Sequence, residues 1–374
     1  MLKYLGSKRT LVPVLTELAL GAGAHTAVDL FTGTTRVAQG LKRAGLAVTA
    51  CDIATYSEVL ARTYVATDAD RVDAAELADA LARLDALPGR AGFVTETYCE
   101  RARFFHPRNG ARIDAIRDAI EEEWSGHALY PLLLTSLLEA ADRVDSTVGV
   151  QMAYLKDWAP RALTDLHLRA PVLIPGSGRA VRGDALDLVD TLPDVDLMYL
   201  DPPYNQHRYF TNYHIWETLV RWDHPETYGV AQKRVDAREE STKSAFNRRR
   251  EMPRALRRIL EGARARTVVL SYNDESWIDA ETLQRALLDT GRQSVRVLEF
   301  PSRRYVGARI GIHGPTGEKV GRVSHLSNTE YVFVAGEAQR VEAAVGRVRQ
   351  GGGTGADEGG RARPATRLAE PRVN

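Results

Sequence analysis

The sequence predicts an α/β fold built on a doubly wound parallel sheet, on three observations. Apolar runs of strand length alternate with helical patterns near the start of the chain and again beyond about residue 171. Two of these runs end in an aspartate followed closely by glycine or proline, the punctuation of a strand that stops at a loop. Between them, about residues 57–170 carry Ala, Leu, Arg and acidic residues at helical spacing with few β-branched runs, and read as a helical insertion.

The elements follow in order. Residues 26–31 form a short strand, a turn containing Gly33 follows, and residues 37–44 have a helical pattern. Residues 47–51 read as the next strand, closing on Asp52 and completing one βαβ unit. Within the insertion, residues 113–124 and 129–144 are the clearest amphipathic helices, with apolar stripes that suit core packing. Strands return at residues 180–182, 195–200, 267–271, 294–300 and 331–334, with helices around 213–222, 253–263 and 277–288. From about residue 336 to residue 374 the chain is rich in Gly, Arg and Ala, with Gly351, Gly352 and Gly353 in a row, and reads as a flexible tail.

Composition narrows the function classes. A chain of 374 residues that is 44% hydrophobic and 26% charged is neither disordered nor a small disulfide scaffold. Fifty Lys and Arg against 49 Asp and Glu give a net charge of +1, which excludes a strongly basic protein but leaves room for a local basic groove. Two cysteines, Cys51 and Cys99, suit a reducing compartment and cannot build a four-thiolate zinc site. The longest apolar stretch, residues 128–141, is too short to span a bilayer, so a cytoplasmic protein with no membrane partner is expected.

Asp201, Pro202, Pro203 and Tyr204 follow the apolar strand at residues 195–200, at the carboxyl end of a sheet strand, where ligands bind in open α/β sheets. Two consecutive prolines hold the backbone extended without amide donors. An aspartate before them and a tyrosine after them add an acceptor and a flat stacking surface. That set suits a planar ring bearing an exocyclic amine. Asp29, Phe31, Gly33 and Thr34 form a second feature, with Asp52 about 20 residues on, the spacing of a ribose-binding carboxylate. By itself this turn fits a plain strand–turn–helix as well as a cofactor site. His207, His214, His224 and Asp223 lack paired metal-ligand spacing, and no metal is expected.

Taken in order, Lys3-Tyr4-Leu5-Gly6-Ser7-Lys8, Asp29-Leu30-Phe31-Thr32-Gly33-Thr34, Asp52 and Asp201-Pro202-Pro203-Tyr204 resemble the Dam-like DNA adenine-N6 methyltransferases, including the modification enzymes of type IIS restriction systems. The resemblance covers roughly residues 1–334. It implies a class I S-adenosylmethionine-dependent methyltransferase (Rossmann-like) sheet from residues 1–56 and 171–335, with the cofactor half first. It also implies that the insertion, residues 57–170, recognises the DNA target. S-adenosylmethionine is the implied cofactor, duplex DNA the implied substrate, and a cognate restriction endonuclease or defence system the implied partner. Tyr4 and Lys8 then match the N-terminal cofactor motif, Asp29, Phe31 and Gly33 the turn beneath the methionine part, and Asp52 the ribose carboxylate. Asp184 looks like the acceptor for the cofactor's adenine amine. Asp201, also near the cofactor, with Pro202, Pro203 and Tyr204 matches the catalytic motif, and the segment with Tyr209, Asn212, Tyr213, His214 and Glu217 resembles the loop and helix after it. Thr35 departs from the pattern, standing where many relatives have a second glycine.

Contacts to DNA are expected from two basic groups. Arg101, Arg103, Arg108 and Asn109 lie beside Tyr98, Phe104 and Phe105 in the insertion, and carry base-reading and stacking chemistry. Arg248, Arg249 and Arg250 open a basic stretch suited to phosphates, and Arg303, Arg304 and Arg309 flank Tyr305 similarly. Methylation of a cytosine ring carbon needs a cysteine nucleophile, and neither Cys51 nor Cys99 follows a proline. Cytosine-N4 methylation, a catalytically silent DNA-binding module and an RNA substrate remain open on the residues alone.

Overall fold

In a computed structural model the described residues are 2–206, 208–303, 327–351 and 367–368. His207, Arg304, Tyr305 and Arg309 lie outside them, as does the side chain of Arg303. In chain order the elements used below are α1 (Val12–Gly21), β1 (Thr26–Asp29), α2 (Arg36–Arg43), β2 (Ala47–Asp52), α3 (Thr55–Ala61), α4 (Ala74–Asp85), α5 (Pro107–Trp124), α6 (Tyr130–Arg143), β3 (Gly178–Arg182), α7 (Ala185–Leu188), β4 (Val195–Leu200), α8 (Tyr209–Asn212) and α9 (His214–Arg221). A small hairpin of β5 (Thr227–Tyr228) and β6 (Lys233–Arg234) follows, then α10 (Met252–Gly262), β7 (Ala265–Asn273), α11 (Ala280–Leu288), β8 (Ser294–Arg303), β9 (Ser327–Gly336), α12 (Ala338–Gly351) and β10 (Arg367–Leu368).

The main sheet runs β10-β8-β9-β7-β4-β1-β2-β3. Neighbours from β3 to β7 pair in parallel, while β9 lies antiparallel to both β7 and β8. The chain winds outward from β1 through β2 to β3, then returns to β4 on the other side of β1. That reversal opens a crevice at the carboxyl ends of β1 and β4.

Buried on both faces, the central strands alternate their side chains between two apolar layers. Leu197 and Tyr199 face one layer, with α1, α2 and α12, while Met198 and Leu200 face the other, with α10 and α11. The insertion contributes a third core in which Tyr56, Leu81, Phe104, Phe105, Ile116 and Leu133 pack with Trp216 and Leu219 from α9. The helical layer thus recruits residues that come after β4.

The expected flexible tail is corrected for residues 338–351, which form α12 and pack on α1. Val341, Ala344, Val345 and Val348 make the i, i+3, i+4, i+7 stripe of a buried helix face. Each buried valine contributes on the order of 1.5 kcal/mol, which outweighs the Gly-rich composition. Gly21 allows the close approach, because a Cβ there would lie 2.7 Å from Ala344 Cα. No helix among the described residues is long and apolar enough to cross a membrane.

Candidate active site

A cavity of about 480 Å³ opens where β1, β2, β3 and β4 end, and Asp29, Asp52, Asp184 and Asp201 all line it. Four strand ends therefore deliver four carboxylates to one place. Tyr4, Lys8, Phe31, Gly33 and Pro203 line it as well. Pro202 and Tyr204 are not on that lining.

Asp29 is 1% exposed, and its Oδ2 accepts from Thr32 Oγ1 at 2.9 Å and from Ala38 N at 3.2 Å. Its Oδ1 is buried without any hydrogen-bond partner. Burial pushes this carboxyl up to about 7, with the Thr32 bond opposing the shift and the Asp201 charge adding to it. After β1 the backbone turns through two left-handed residues, Gly33 at φ 52° and Thr35 at φ 62°. The position where a glycine was missing thus adopts a glycine-like conformation, at a cost of roughly 1–2 kcal/mol. Thr35 offsets part of this by donating to Thr34 O at 2.7 Å and accepting from Gln39 Nε2 at 2.8 Å.

Asp52 braces the same turn, accepting from Gly33 N at 2.8 Å and from Ala54 N at 3.0 Å. Burial raises its carboxyl as well. Asp184 caps α7, its Oδ1 taking Leu186 N at 2.8 Å. Tyr4 stacks on Tyr209 at 5.2 Å and on Tyr213 at 4.7 Å, and a Cβ on Gly33 would come within 3.0 Å of the Tyr4 ring. Gly33 is therefore required by both its conformation and the approach of that ring. Phe31 meets Phe246 edge-on at 5.2 Å, closing the cavity on the side of residues 241–247.

Asp201 accepts the ammonium of Lys8 on Oδ1 at 3.2 Å and keeps 19% of its side chain open. Among the described residues, Lys8 is its sole side-chain hydrogen-bond partner, so Oδ2 is free. Burial pushes Asp201 up to about 6, Lys8 opposing and Glu330 reinforcing the shift. Lys8 is itself 7% exposed; burial pulls its ammonium down, but Asp201 and Glu330 outweigh it and hold it charged. Tyr204 leans on Tyr272 at 5.7 Å, with the Lys8 ammonium 5.7 Å from its ring. Ser271, Tyr272 and Asn273 at the end of β7 thus lie beside the Asp-Pro-Pro-Tyr segment, Ser271 Oγ accepting from Tyr199 OH at 2.9 Å.

The segment after Asp201-Pro202-Pro203-Tyr204 is largely supporting structure. Tyr213 OH accepts Leu5 N at 2.6 Å, and Glu217 accepts Thr55 N at 2.9 Å. His214 is buried against Gln151 O, and burial drives its imidazole down to about 3, so it stays neutral. Asp223 is held by the buried Arg234 at 2.7 Å.

The expected DNA contacts separate by exposure. Arg101 is exposed, while Arg103 donates to Lys156 O and lies 4.7 Å over the Trp158 ring. Arg108 donates to Leu163 O and pairs with Asp165 at 3.2 Å. Asn109 as a base reader is corrected: it is 1% exposed, donating to Ala162 O and Thr164 O and accepting from Leu166 N at 3.1 Å. With three bonds made inside the fold, it clamps a loop and has no reach to a base. Tyr98, Phe104 and Phe105 are equally buried in the core. Arg248 pairs with Glu240 and Glu251, whereas Arg249 and Arg250 are exposed.

Two features of the cavity, and one contact behind it, escaped the sequence reading. Arg36 lines it with a buried Nε that has no partner, and its only local signal is a basic residue directly after the turn. The Ser241-Thr242-Lys243-Ser244 run forms part of its wall, and Glu330 reaches Lys8 from β9; nothing local in sequence marks either. Cys51 and Cys99 are buried free thiols, and burial pushes Cys51 up to about 12, so neither is a nucleophile.

Residues 4–284 match the family model of D12 class N6 adenine-specific DNA methyltransferases. The chain is 32% identical over 314 residues to the type II methyltransferase M.NlaIII of Neisseria lactamica, covering 80% of this chain and 91% of that one. It is 28% identical to the type II methyltransferase M.FokI of Planomicrobium okeanokoites, over 81% of this chain and 50% of that protein. The modification methylase StsI of Streptococcus sanguinis is also 28% identical, over 83% and 50% respectively. No solved structure matches the chain.

Proposed function

The chain belongs to the D12 class N6 adenine-specific DNA methyltransferases, and from that premise we propose that its strand-end cavity holds S-adenosylmethionine beside a flipped adenine, with Asp201 at the target amine. The reaction is methylation of adenine N6 in DNA. The observation that carries the site reading is the free Oδ2 of Asp201, in a carboxylate fixed by Lys8 on the same cavity as Asp29.

The residues present fit the cofactor. Asp29 Oδ1, buried and unpartnered, suits the ammonium of its amino-acid part, and Arg36, with its unpartnered Nε, suits the carboxylate. Asp52 and Asp184 retain acceptor capacity for ribose hydroxyls and the adenine amine, since each carboxylate oxygen has two lone pairs. Phe31 and the bare backbone at Gly33 would bound the methionine part. When bound, S-adenosylmethionine would supply an electrophilic sulfonium methyl whose carbon–sulfur electrons would stay on sulfur as the amine nitrogen takes the methyl, so that the chain would have one proton to remove from the cationic amine.

The chain's work is positioning and electrostatics. An adenine amine is conjugated with its ring and is a poor nucleophile in that state. Asp201 Oδ2 and the Pro202 carbonyl draw its hydrogens out of the ring plane, and Tyr204 stacks the extruded base. Asp201 then stabilises the cationic amine and takes its proton.

Residues 57–170 serve as the target-recognition layer in this reading, with Arg101, Arg103 and Arg108 on it and Arg249 and Arg250 opposite phosphates. A cognate restriction endonuclease is the proposed partner, because the relatives are named as type II methyltransferases and a modification methylase. Action on DNA and two free thiols fit the cytoplasm.

The test is radiolabelled methyl transfer to mixed-sequence duplex DNA, with analysis of the modified base. Wild type should yield N6-methyladenine. Asp201→Ala should abolish transfer while calorimetry shows S-adenosylhomocysteine binding within about tenfold. N4-methylcytosine as product, or substantial turnover by the variant, would overturn the site reading.

A further inference from the structure

Glu330 stands on β9, distant in sequence from every motif of the site, yet it is 7% exposed and its carboxylate lies against the Lys8 ammonium. The same ammonium meets Asp201 Oδ1 at 3.2 Å, so one cation from the N-terminal segment bridges carboxylates from β4 and β9. Asn273, at the end of β7, donates to the other oxygen of Glu330 at 3.3 Å. Resting on the reading of Asp201 as the acceptor for the target amine, we propose that Glu330 is a positioning residue for methyl transfer: it pins the Lys8 ammonium to one oxygen of Asp201 and leaves the other for the amine.

A lysine ammonium is a compact charge on a flexible stem with three donors, and by itself does not choose between two carboxylate oxygens. A second carboxylate across from it supplies the choice, and Asn273 fixes that carboxylate in turn. The arrangement also sets charge. Two carboxylates sharing one buried ammonium leave a net negative cluster, so Asp201 holds a proton more readily than it would if paired one to one with Lys8. That suits a group that must accept a proton from the product amine. Asp201 is faced by Lys8 from the N-terminal segment, Glu330 from β9, Asp29 from β1, Tyr199 and Tyr204 from its own strand and loop, and Tyr209 from α8. Lys8 is the cation among them, and Glu330 is the acid that shares it.

The test is the pH profile of kcat for Glu330→Gln on mixed-sequence duplex DNA, with S-adenosylhomocysteine affinity measured by calorimetry. Removing the second carboxylate frees Lys8 to cover both Asp201 oxygens and removes a like charge. The acidic limb, set by ionisation of Asp201, should therefore move down by roughly one pH unit. At pH 8 kcat should fall by on the order of 10²-fold through misplacement of the acceptor. S-adenosylhomocysteine should bind within about threefold of wild type, because Glu330 is not on the cavity lining. Glu330→Asp, which keeps the charge, should return the limb to the wild-type position. An unmoved limb in Glu330→Gln, or an affinity loss that accounts for the whole loss of activity, would overturn the proposal. Should Glu330→Gln lose its thermal unfolding transition, Asn273→Ala carries the positioning half of the question: it keeps the Glu330 charge but releases its other oxygen, so the limb should stay in place while kcat at pH 8 falls severalfold, and an unchanged kcat would overturn the proposal. Asp201→Ala run in parallel keeps the two readings apart: turnover retained there sinks Asp201 as acceptor, whereas an unmoved Glu330→Gln limb beside an inactive Asp201→Ala sinks only Glu330.

Discussion

In the helical layer Asp114 accepts from Gly92 N, Val94 N, Thr95 N and Thr95 Oγ1, and the buried Arg117 donates to Leu219 O, Glu121, Tyr130 and Val220 O. In the strand-end cavity, Asp29 Oδ1 and Arg36 Nε have no partner. Among the described residues, no buried side-chain atom lacking a hydrogen bond lies between residues 58 and 207. Both regions bury polar groups, which is tolerable only when they are paired. The insertion pairs them within the fold, although His214 Nδ1 and Trp216 Nε1 of α9, which packs on it, keep no partner. The cavity leaves an acidic oxygen and a guanidinium nitrogen unsatisfied on one lining, and it is that coincidence with a cavity, rather than an unsatisfied atom by itself, that points to a ligand.

The largest expected effect is at Asp29. Asp29→Asn should weaken S-adenosylhomocysteine binding by about 1.5–3 kcal/mol through loss of a charge-assisted hydrogen bond. Burial pushes the wild-type carboxyl up to about 7, so it ionises, and ligand affinity rises, between pH 6 and pH 8; the Asn variant should show a smaller rise over that range. The sign for stability is opposite. The ligand-free native state keeps a proton that the unfolded chain releases near pH 4, so stability should fall as pH rises from there to about 7, and that slope should become shallower in the variant, the other buried carboxyls keeping their share. Calorimetric titrations at three pH values check the affinity, and urea unfolding checks the slope. Equal affinities for wild type and variant at pH 8 would mean that the orphaned oxygen faces no ligand cation.

Asn109→Ala probes the closed side of the comparison. It strands the carbonyls of Ala162 and Thr164 and the amide of Leu166, and should cost about 1–3 kcal/mol of stability. The choice of methylated sequence in the folded fraction should not change. Modified-base sequencing together with urea unfolding reads both, and a relaxed target preference at unchanged stability would return Asn109 to the recognition surface.

Thr35→Gly should have the smallest effect. Relief of about 1–2 kcal/mol of left-handed strain is set against two lost hydroxyl bonds and the greater freedom of glycine in the unfolded chain. The net change should stay under about 1 kcal/mol. A loss well above that in the denaturation midpoint would show that the Thr35 hydroxyl holds the turn more than its backbone does.

Much of the fold was legible because strand and helix periods are local. The run at residues 195–200 is the whole of β4, and the turn after residues 26–31 lies where Gly33 and Asp52 required it. The ordered motifs placed Asp29, Asp52, Asp184 and Asp201 at strand ends, and the winding of the chain brings all four to one cavity. The C-terminal helix was misread because Gly and Arg dominated the composition, although Val341, Ala344, Val345 and Val348 already carried a helical period. Asn109 was misread because an amide that closes a loop and one that reads a base have the same letter in the sequence.

By itself, then, the sequence determined what depends on neighbours along the chain: the strands, the turn at Gly33, and the Asp-Pro-Pro-Tyr segment that ends β4. Only the tertiary structure decided what depends on atoms meeting from distant segments. Lys8 meets Glu330 across more than three hundred residues, Phe246 closes on Phe31, and Asn109 is consumed by residues 162–166. Hydrogen bonds and ion pairs act over a few ångströms of space rather than along the chain, so which polar atoms are satisfied and which are left for a ligand is settled when the strands come together.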